Sequence, residues 1–576
     1  MGICNDRQNM KEVCRMNSTA DCTNLLECAI YWETTAADRI WLTQPMGGGN
    51  ANIKTWTWAE AVGEARRMAA YLKRLDLPER SSIALCSKNC AYWLMADLAI
   101  WMAGHVSVPI FPILTADTVT YVIEHSEAKL LFAGKLDPVW DEMKKGVPAD
   151  MKTVAFPLAP ENKYEQWKDI VDNHEPLSET AACPPGETAT IIYTSGSTGR
   201  PKGAMISFEA MYYGAKGLCE VGDVDCSDRG LSYLPLAHAF ERLGEALSLY
   251  VGSQLFFAES LDTFLDDLKR ARPTLFASVP RLWLKFQLGI FEKMPPYKLD
   301  RLLKIPVLSS VIKKKIMKQL GLDQVRIAVS GSAPVPKEII TWYRRLGLEL
   351  VEGYGMTENF SYSHISRSGE VRPGYVGTPC PGVEQKISDD GEVLVKSPCN
   401  MKGYFKKPEL NETIFTKDGF FRTGDLGDLD EMGRLKITGR AKELFKTSKG
   451  KYVAPAPIEN ALSNHPLVEA CYVTGAGFHQ PYGVMMLSEE ARQKASRGDR
   501  QSIEIRVLEL LTDVNKVLPT FEQLAFLAIA NDVWSAENGF LTPTLKIKRK
   551  VLDATYGPFA HKWFAMKRPV VWQADL

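Results

Sequence analysis

The stretch IIYTSGSTGRPKGAM, residues 191–205, limits the fold more than any other part of the chain. An apolar run that passes abruptly into glycines, hydroxyls and a proline must end in a loop. Ile191 and Ile192 read as the end of a buried strand, and SFEAMYYGAKGL (207–218) reads as a helix with Ser207 at its N-cap. Between them lie Thr194, Ser195, Gly196, Ser197, Thr198, Gly199 and Lys202. Glycines let backbone N–H groups approach an anion, small hydroxyls add donors without bulk, and a lysine neutralises charge. That chemistry suits a polyphosphate. A plain surface turn is the other reading of such a cluster, and the Walker A spacing GxxxxGK[ST] is not present there.

The rest of the chain repeats the strand-then-helix theme. SSIALCS (81–87), AKLLFAG (128–134) and LFASVP (275–280) are short apolar runs bounded by turn residues, and residues 55–77 turn helical in their later part. An α/β chain with largely parallel sheets flanked by helices follows. With 576 residues, two or more domains are expected. The glycine-punctuated segment 420–440 reads as consecutive hairpins, and IENALSNHPLVEACYVTG (458–475) opens a new helix-then-strand unit. The division therefore falls between a large domain, 1–439, and a small one, 440–576.

Several classes are excluded. Lys+Arg and Asp+Glu both number 69, which argues against a nucleic-acid binder. The 12 cysteines show no metal-ligand spacing, and reduced thiols in a cytoplasmic setting are expected. The start, MGICNDRQNMKEVC, lacks the apolar core of a signal peptide. The most membrane-like stretch, 94–115, is broken by Asp97, His105 and two prolines, so it reads as a buried helix running into a strand.

Further motifs fall downstream of the first loop. VSGSAPV (329–335), EGYGMTENF (352–360), RTGDLG (422–427), GRAKELFKTSKGKYVAPAPIE (439–459) and LTPTLKIKR (541–549) follow one another in that order. Together with the first loop, from about residue 55 to 550, they resemble the acyl-adenylate-forming superfamily, which includes acyl-CoA synthetases, luciferases and peptide-synthetase adenylation domains. The resemblance implies a large N-terminal domain of α/β subdomains and a small mobile α+β C-terminal domain, hinged at 440–442.

It also implies roles. Residues 194–199 and Lys202 would hold the phosphates of ATP, while Gly331, Ser332 and Ala333 would line the adenine pocket with Glu352, Gly353, Tyr354 and Gly355. Thr357 would bond a phosphate oxygen, and Glu358, with Thr198, would hold Mg²⁺; a carboxylate is a suitable hard ligand for that ion. Asp425 and Arg440 would meet the ribose, since a carboxylate can accept from both hydroxyls of a vicinal diol. Lys442 would be the pivot, and Lys546 the adenylation lysine; a solvated strand face is the alternative for the lysines around 546.

YLPLAHAFERLGEALSLYVGSQLFF (233–257) resembles the long-chain fatty acyl-CoA synthetase branch, and KELFKTSKGKYVAPAPIE (442–459) resembles its bacterial and bubblegum-type members. The first implies His238 near the acyl carboxylate, although a core histidine fits equally. The branch implies a fatty acid and coenzyme A as co-substrates. Lys449 and Gly450 stand where that branch usually has a Gly-Gly pair, and Lys446, Lys449, Gly450 and Lys451 are candidates to meet CoA. Leu545 replaces the glycine common before the lysine. A fatty acyl-AMP ligase serving an acyl carrier protein and a non-catalytic relative are the alternatives; a luciferase-type monooxygenase fits less well. Residues 301–322 carry six basic residues and no acid. They read as a solvated helix or as a peripheral contact with anionic lipid. Tyr212 and Tyr213 either line an acyl tunnel or pack in the core. Oligomeric state is not readable.

Overall fold

The computed structural model describes residues 19–194, 200–542 and 545–575. A seven-stranded sheet organises the first part, in the order Glu165–Gln166, Thr153–Ala155, Leu130–Ala133, Ser82–Cys86, Val106–Ile110, Thr188–Thr194 and Lys202–Ser207. All its pairings are parallel except the last. Its central strands Ser82–Cys86 and Val106–Ile110 are buried at every residue, which is why they read as unbroken apolar runs. The helix Ala91–Met102 is likewise buried all round and leads into Val106–Ile110, as expected for the membrane-like stretch. Asp97 within it is neutralised by Arg242 at 2.8 Å, both side chains fully enclosed. Among the described residues no helix is long and apolar enough to cross a membrane.

At the far edge of this sheet the structure adds an element that the strand–loop–helix reading missed. Thr188–Thr194 turns back on Lys202–Ser207 as an antiparallel hairpin, with Thr194 opposite Lys202. Gly203 is required there, because a Cβ would lie 2.7 Å from Ile191 Cγ2. Only then does the helix Phe208–Gly222 begin, and Ser207 caps it by accepting from the Ala210 N–H at 3.1 Å.

Two further sheets complete the large part. One runs Arg229–Ser232, Gln254–Phe257, Ile40–Pro45 and Ile53–Thr57; the other runs Leu275–Ser278, Ile327–Ser330, Leu350–Tyr354, His364–Ile365 and Thr378–Pro379. An antiparallel meander, Glu384–Ile387 to Leu435–Arg440, follows and contains a single hairpin over 420–440, that of Phe421–Leu429 with Leu435–Arg440. Beyond it the sheet Val468–Thr474, Tyr482–Leu487, Leu527–Ile529 and Val570–Trp572 packs its helices into apolar cores of its own, built from residues 453–572. The largest core draws on residues 25–421. This is the mixed α/β architecture anticipated, with a smaller α+β C-terminal part.

The cysteines depart in one respect from the reduced set expected. Nine of the described ones are free, whereas Cys226 is disulfide-bonded.

Candidate active site

The strands Leu350–Tyr354, Phe421–Leu429 and Leu435–Arg440 bring motif residues together. Asp425 sits directly opposite Arg440 in the meander. Its carboxylate is 4% exposed and has both oxygens engaged: Tyr354 Oη donates to Oδ2 at 2.7 Å, and Arg440 Nε lies 2.7 Å from Oδ1. The Asp425 carboxylate raises the Arg440 guanidinium, and burial together with that carboxylate pushes the Tyr354 phenol well up. Thus the turn after Leu350–Tyr354 is tied to the last strand before the C-terminal part.

Gly355 is fixed by contact. A Cβ there would lie 2.5 Å from the Ser361 carbonyl carbon, so the chain folds tightly back on itself through Thr357–Asn359. Thr357 is buried, and Asn359 Oδ1 accepts from the Met356 N–H at 2.9 Å. That short turn presents Glu358. Tyr404 Oη donates to Glu358 Oε1 at 2.7 Å, and the Tyr404 ring also lies under Lys202, whose Nζ is 4.5 Å from its centroid. Tyr404 is a residue the motif reading did not single out. It is held because Gly403 and Phe405 exchange backbone hydrogen bonds with Met205 and Gly203 of the edge strand. Burial lowers the Lys202 ammonium, aided by the Lys442 charge and opposed by Glu358.

Gly331 and Ser332 follow Ile327–Ser330, and Ser332 takes a left-handed φ of 67°. Glu352 lies behind them: its Oε1 accepts from the Val335 N–H at 3.0 Å, and burial pushes its carboxyl up to about 7. It therefore braces the loop containing Ala333, whereas Gly331, Ser332, Gly353, Tyr354 and Gly355 face a cavity. That cavity, about 370 Å³, is bordered by the helices Phe208–Gly222 and Ala239–Val251 and by the strands Leu275–Ser278, Ile327–Ser330 and Leu350–Tyr354, with Leu and Val side chains among glycines, serines and a few charged groups. Tyr212 is buried and Tyr213 exposed, and neither lines it. His238 caps the second helix, its Nδ1 accepting from the Phe240 N–H at 3.1 Å. Burial and then the charge of Lys546 push its imidazole down to about 4, so it is neutral at pH 7.

Lys546 arrives from the other end of the chain. Leu541 bridges to Ile547, and Thr542 N–H donates to Lys546 O at 2.7 Å, closing a tight loop. Leu545 in that loop has φ 60°, a conformation that costs a residue with a Cβ about 1 kcal/mol and that glycine adopts freely. Arg549 fastens the same segment to Glu459 and, at 3.2 Å, to Glu443. Enclosure between the two parts, then the Arg440 charge, lowers the Lys546 ammonium, against the pull of Asp425, Glu358 and Glu443. Its surface nevertheless stays open to solvent in the cleft.

Thus His238, Glu358, Asp425, Arg440, Lys442, Lys202 and Lys546 share one electrostatic neighbourhood. Ser195, Gly196, Ser197, Thr198 and Gly199 lie outside the described residues; Thr194 and Lys202 mark where their loop begins and ends. Among the described residues no group of three or more His, Cys, Asp or Glu could cage a metal. Glu358 alone remains a suitable single carboxylate for an ion that takes its other ligands from phosphates. Lys446, Lys449, Gly450 and Lys451 stand apart on an exposed hairpin. There Gly450 has φ 77°, whereas Lys449 does not take a positive φ, so the turn needs a glycine at one position only.

Residues 32–405 match the family described as AMP-binding enzyme, and residues 443–556 match the AMP-binding enzyme C-terminal domain. The long-chain-fatty-acid–CoA ligase FadD15 of Mycobacterium bovis is 30% identical, with 86% of this chain and 90% of that protein aligned. Long-chain-fatty-acid–CoA ligase 1 of Cavia porcellus is 30% identical over 86% of this chain and 79% of its own. Among solved structures, the adenylation domain of a carboxylate reductase from Mycobacterium chelonae superposes with a TM-score of 0.80 at 22% identity, covering 96% of this chain and 93% of that one.

Asp425 can hold only what Tyr354 and Arg440 leave it free to hold. Asp425→Ala is expected to raise the KM for ATP about tenfold or more, the worth of hydrogen bonds to a charged group. Tyr354→Phe should give a smaller rise. Pyrophosphate exchange measures both, and unchanged KM values would remove this carboxylate from the nucleotide site.

Proposed function

The chain belongs to the AMP-binding enzyme family, and on that premise we propose that it is an ATP-dependent ligase joining a long-chain fatty acid to coenzyme A. The observation that carries the reading is convergence. A lysine from the C-terminal part lies within electrostatic reach of Asp425, Glu358 and His238 of the large part, near a cavity of about 370 Å³ that can take an alkyl chain. The similarity to long-chain-fatty-acid–CoA ligases supports the choice of acid and acceptor.

In the first half-reaction the fatty-acid carboxylate attacks the α-phosphorus of ATP and pyrophosphate leaves. The phosphoryl centre needs alignment and compensation of negative charge more than covalent help. Lys546 supplies a positive charge between carboxylate and α-phosphate, and Lys202, on its aromatic support, meets the departing phosphates with the loop 194–199. Asp425, Arg440 and Tyr354 orient the nucleoside. Glu358 would hold Mg²⁺, which would supply neutralisation of phosphate charge. His238, neutral at pH 7, lies beside the acyl carboxylate without adding charge.

In the second half-reaction the CoA thiol attacks the acyl carbonyl, the thioester bond forms and AMP leaves. Lys546 occupies the approach that the thiol needs, so the C-terminal domain turns away about the hinge 440–442. We place the domain division at 439/440, with 1–439 large and 440–576 small. The separate apolar cores and the separate family matches support it. Lys446, Lys449 and Lys451, exposed on their hairpin, would meet the phosphates of CoA.

A peripheral membrane contact is the further part of the reading. The helix Pro306–Gln319 exposes Val307 (81%) and Val311 (58%) beside Lys314 and Lys315, an apolar and basic face of the kind that rests on anionic lipid.

Four measurements test these assignments. Lys546→Ala should lose acyl-adenylate formation while still converting supplied acyl-AMP to acyl-CoA, and Lys442→Pro should do the reverse; equal loss of both steps in either variant would remove the two-conformation scheme. The triple change Lys446→Ala, Lys449→Ala and Lys451→Ala should raise the KM for CoA and spare that for ATP; an unchanged CoA KM would clear the hairpin of this role. Anionic vesicles should sediment the protein, and replacing Lys313, Lys314 and Lys315 by alanine should release it; equal sedimentation of the two would end the membrane reading. CoA-dependent AMP release without a carrier protein separates this ligase from one serving acyl carrier protein.

A further inference from the structure

Glu241, Arg326 and Glu349 line the cavity, but of its described lining residues Glu245 is the one with buried side-chain oxygens that lack a hydrogen-bond partner. Glu245 lies on its wall, on the helix Ala239–Val251. Its side chain belongs to a residue only 5% exposed, and neither carboxyl oxygen has a hydrogen-bond partner. A buried polar group in that state is costly, and such groups in native structures call for an explanation.

Charge balance does not explain it. Arg242, one turn earlier, is already neutralised by Asp97 at 2.8 Å and makes a further contact to Ser107 Oγ at 3.5 Å. A second carboxylate would leave the buried group with an excess negative charge. Burial, with Asp97 and Glu241 adding to it against Arg242, accordingly pushes the Glu245 carboxyl up to about 8. At neutral pH it is mainly the uncharged acid, able both to donate and to accept one hydrogen bond. Helix packing does not explain it either. Gly244 beside it also lines the cavity, and a Cβ there would meet nothing within 4 Å. A glycine inside a helix is destabilising relative to alanine, and its effect here is to keep the space next to Glu245 wide.

We propose that Glu245 is a specificity residue that recognises a hydroxyl carried partway along the acyl chain, so that the cavity prefers a hydroxylated fatty acid to the plain one. This rests on the reading that the cavity takes the acyl chain with its carboxylate beside His238. The helix rises about 1.5 Å per residue, so the step from His238 to Glu245 is about 10 Å, the length of about eight carbons of an extended chain. The hydroxyl is therefore expected near the eighth carbon. It donates to one carboxyl oxygen and accepts from the protonated other, and no covalent change is involved.

The test is a positional series of monohydroxylated sixteen-carbon acids, with palmitate as the reference, assayed for kcat/KM by AMP release. The wild type should favour acids hydroxylated near the eighth carbon about tenfold over palmitate, and isomers substituted near carbon two or sixteen should show no such gain. Glu245→Gln, which keeps donor and acceptor, should retain the preference. Glu245→Met, apolar and of similar length, should lose it and turn over palmitate at least as well as the wild type. A wild type indifferent to hydroxyl position overturns the inference and leaves the ligase reading intact, since palmitate is still consumed. A preference that survives in Glu245→Met also overturns it. Failure to activate any acid in the series overturns both.

Discussion

Asp425 is the point on which the arrangement of the site depends. Its two oxygens are committed in different directions, one to Tyr354 on the turn that carries Glu358, the other to Arg440 on the last strand before the C-terminal part. A carboxylate buried to this degree is tolerable only when its partners hold it from both sides. Once it is held, the turn and the strand share one frame, and everything that follows Arg440 is aimed from that frame. Lys442, two residues on, is thereby brought within electrostatic reach of Lys202. The site is assembled from distant segments through one ion pair and one phenol.

Positive charge is the second constraint. Burial lowers the ammonium groups of Lys202 and Lys546, and a neighbouring cation adds to it, Lys442 at Lys202 and Arg440 at Lys546. Like charges gathered in a cleft raise the energy of the protein alone and lower it when a polyanion enters. Tyr404 is part of the same economy. It lends its ring to Lys202 and its hydroxyl to Glu358, keeping a cation and a carboxylate apart and separately oriented.

Much of this was legible from the residues. Ser207 at a helix start and the buried run at 94–115 follow from local chemistry and appear where expected, whereas 420–440 holds a single hairpin in place of consecutive ones. The strand Lys202–Ser207 did not, because its partner is the run before the loop and pairing across such a loop leaves no mark within six residues. Tyr404 was invisible for a similar reason: its task is set by segments some two hundred positions away. Glu352 sits in the motif, yet the structure turns it towards Val335, away from the cavity. Motif order locates a site well. It does not say which side chains face inward, because that depends on the twist and packing of strands distant in sequence.

The edge strand Lys202–Ser207 is also the last of its sheet, and a last strand offers unpaired amides and carbonyls to any passing chain. Here the segment around Gly403, Tyr404 and Phe405 covers that border by pairing with Gly203 and Met205. The stretch that supports Lys202 thus doubles as a guard against self-association. Loosening it would uncover a template for aggregation as well as slacken the chemistry, which couples the solubility of this protein to its competence as a catalyst.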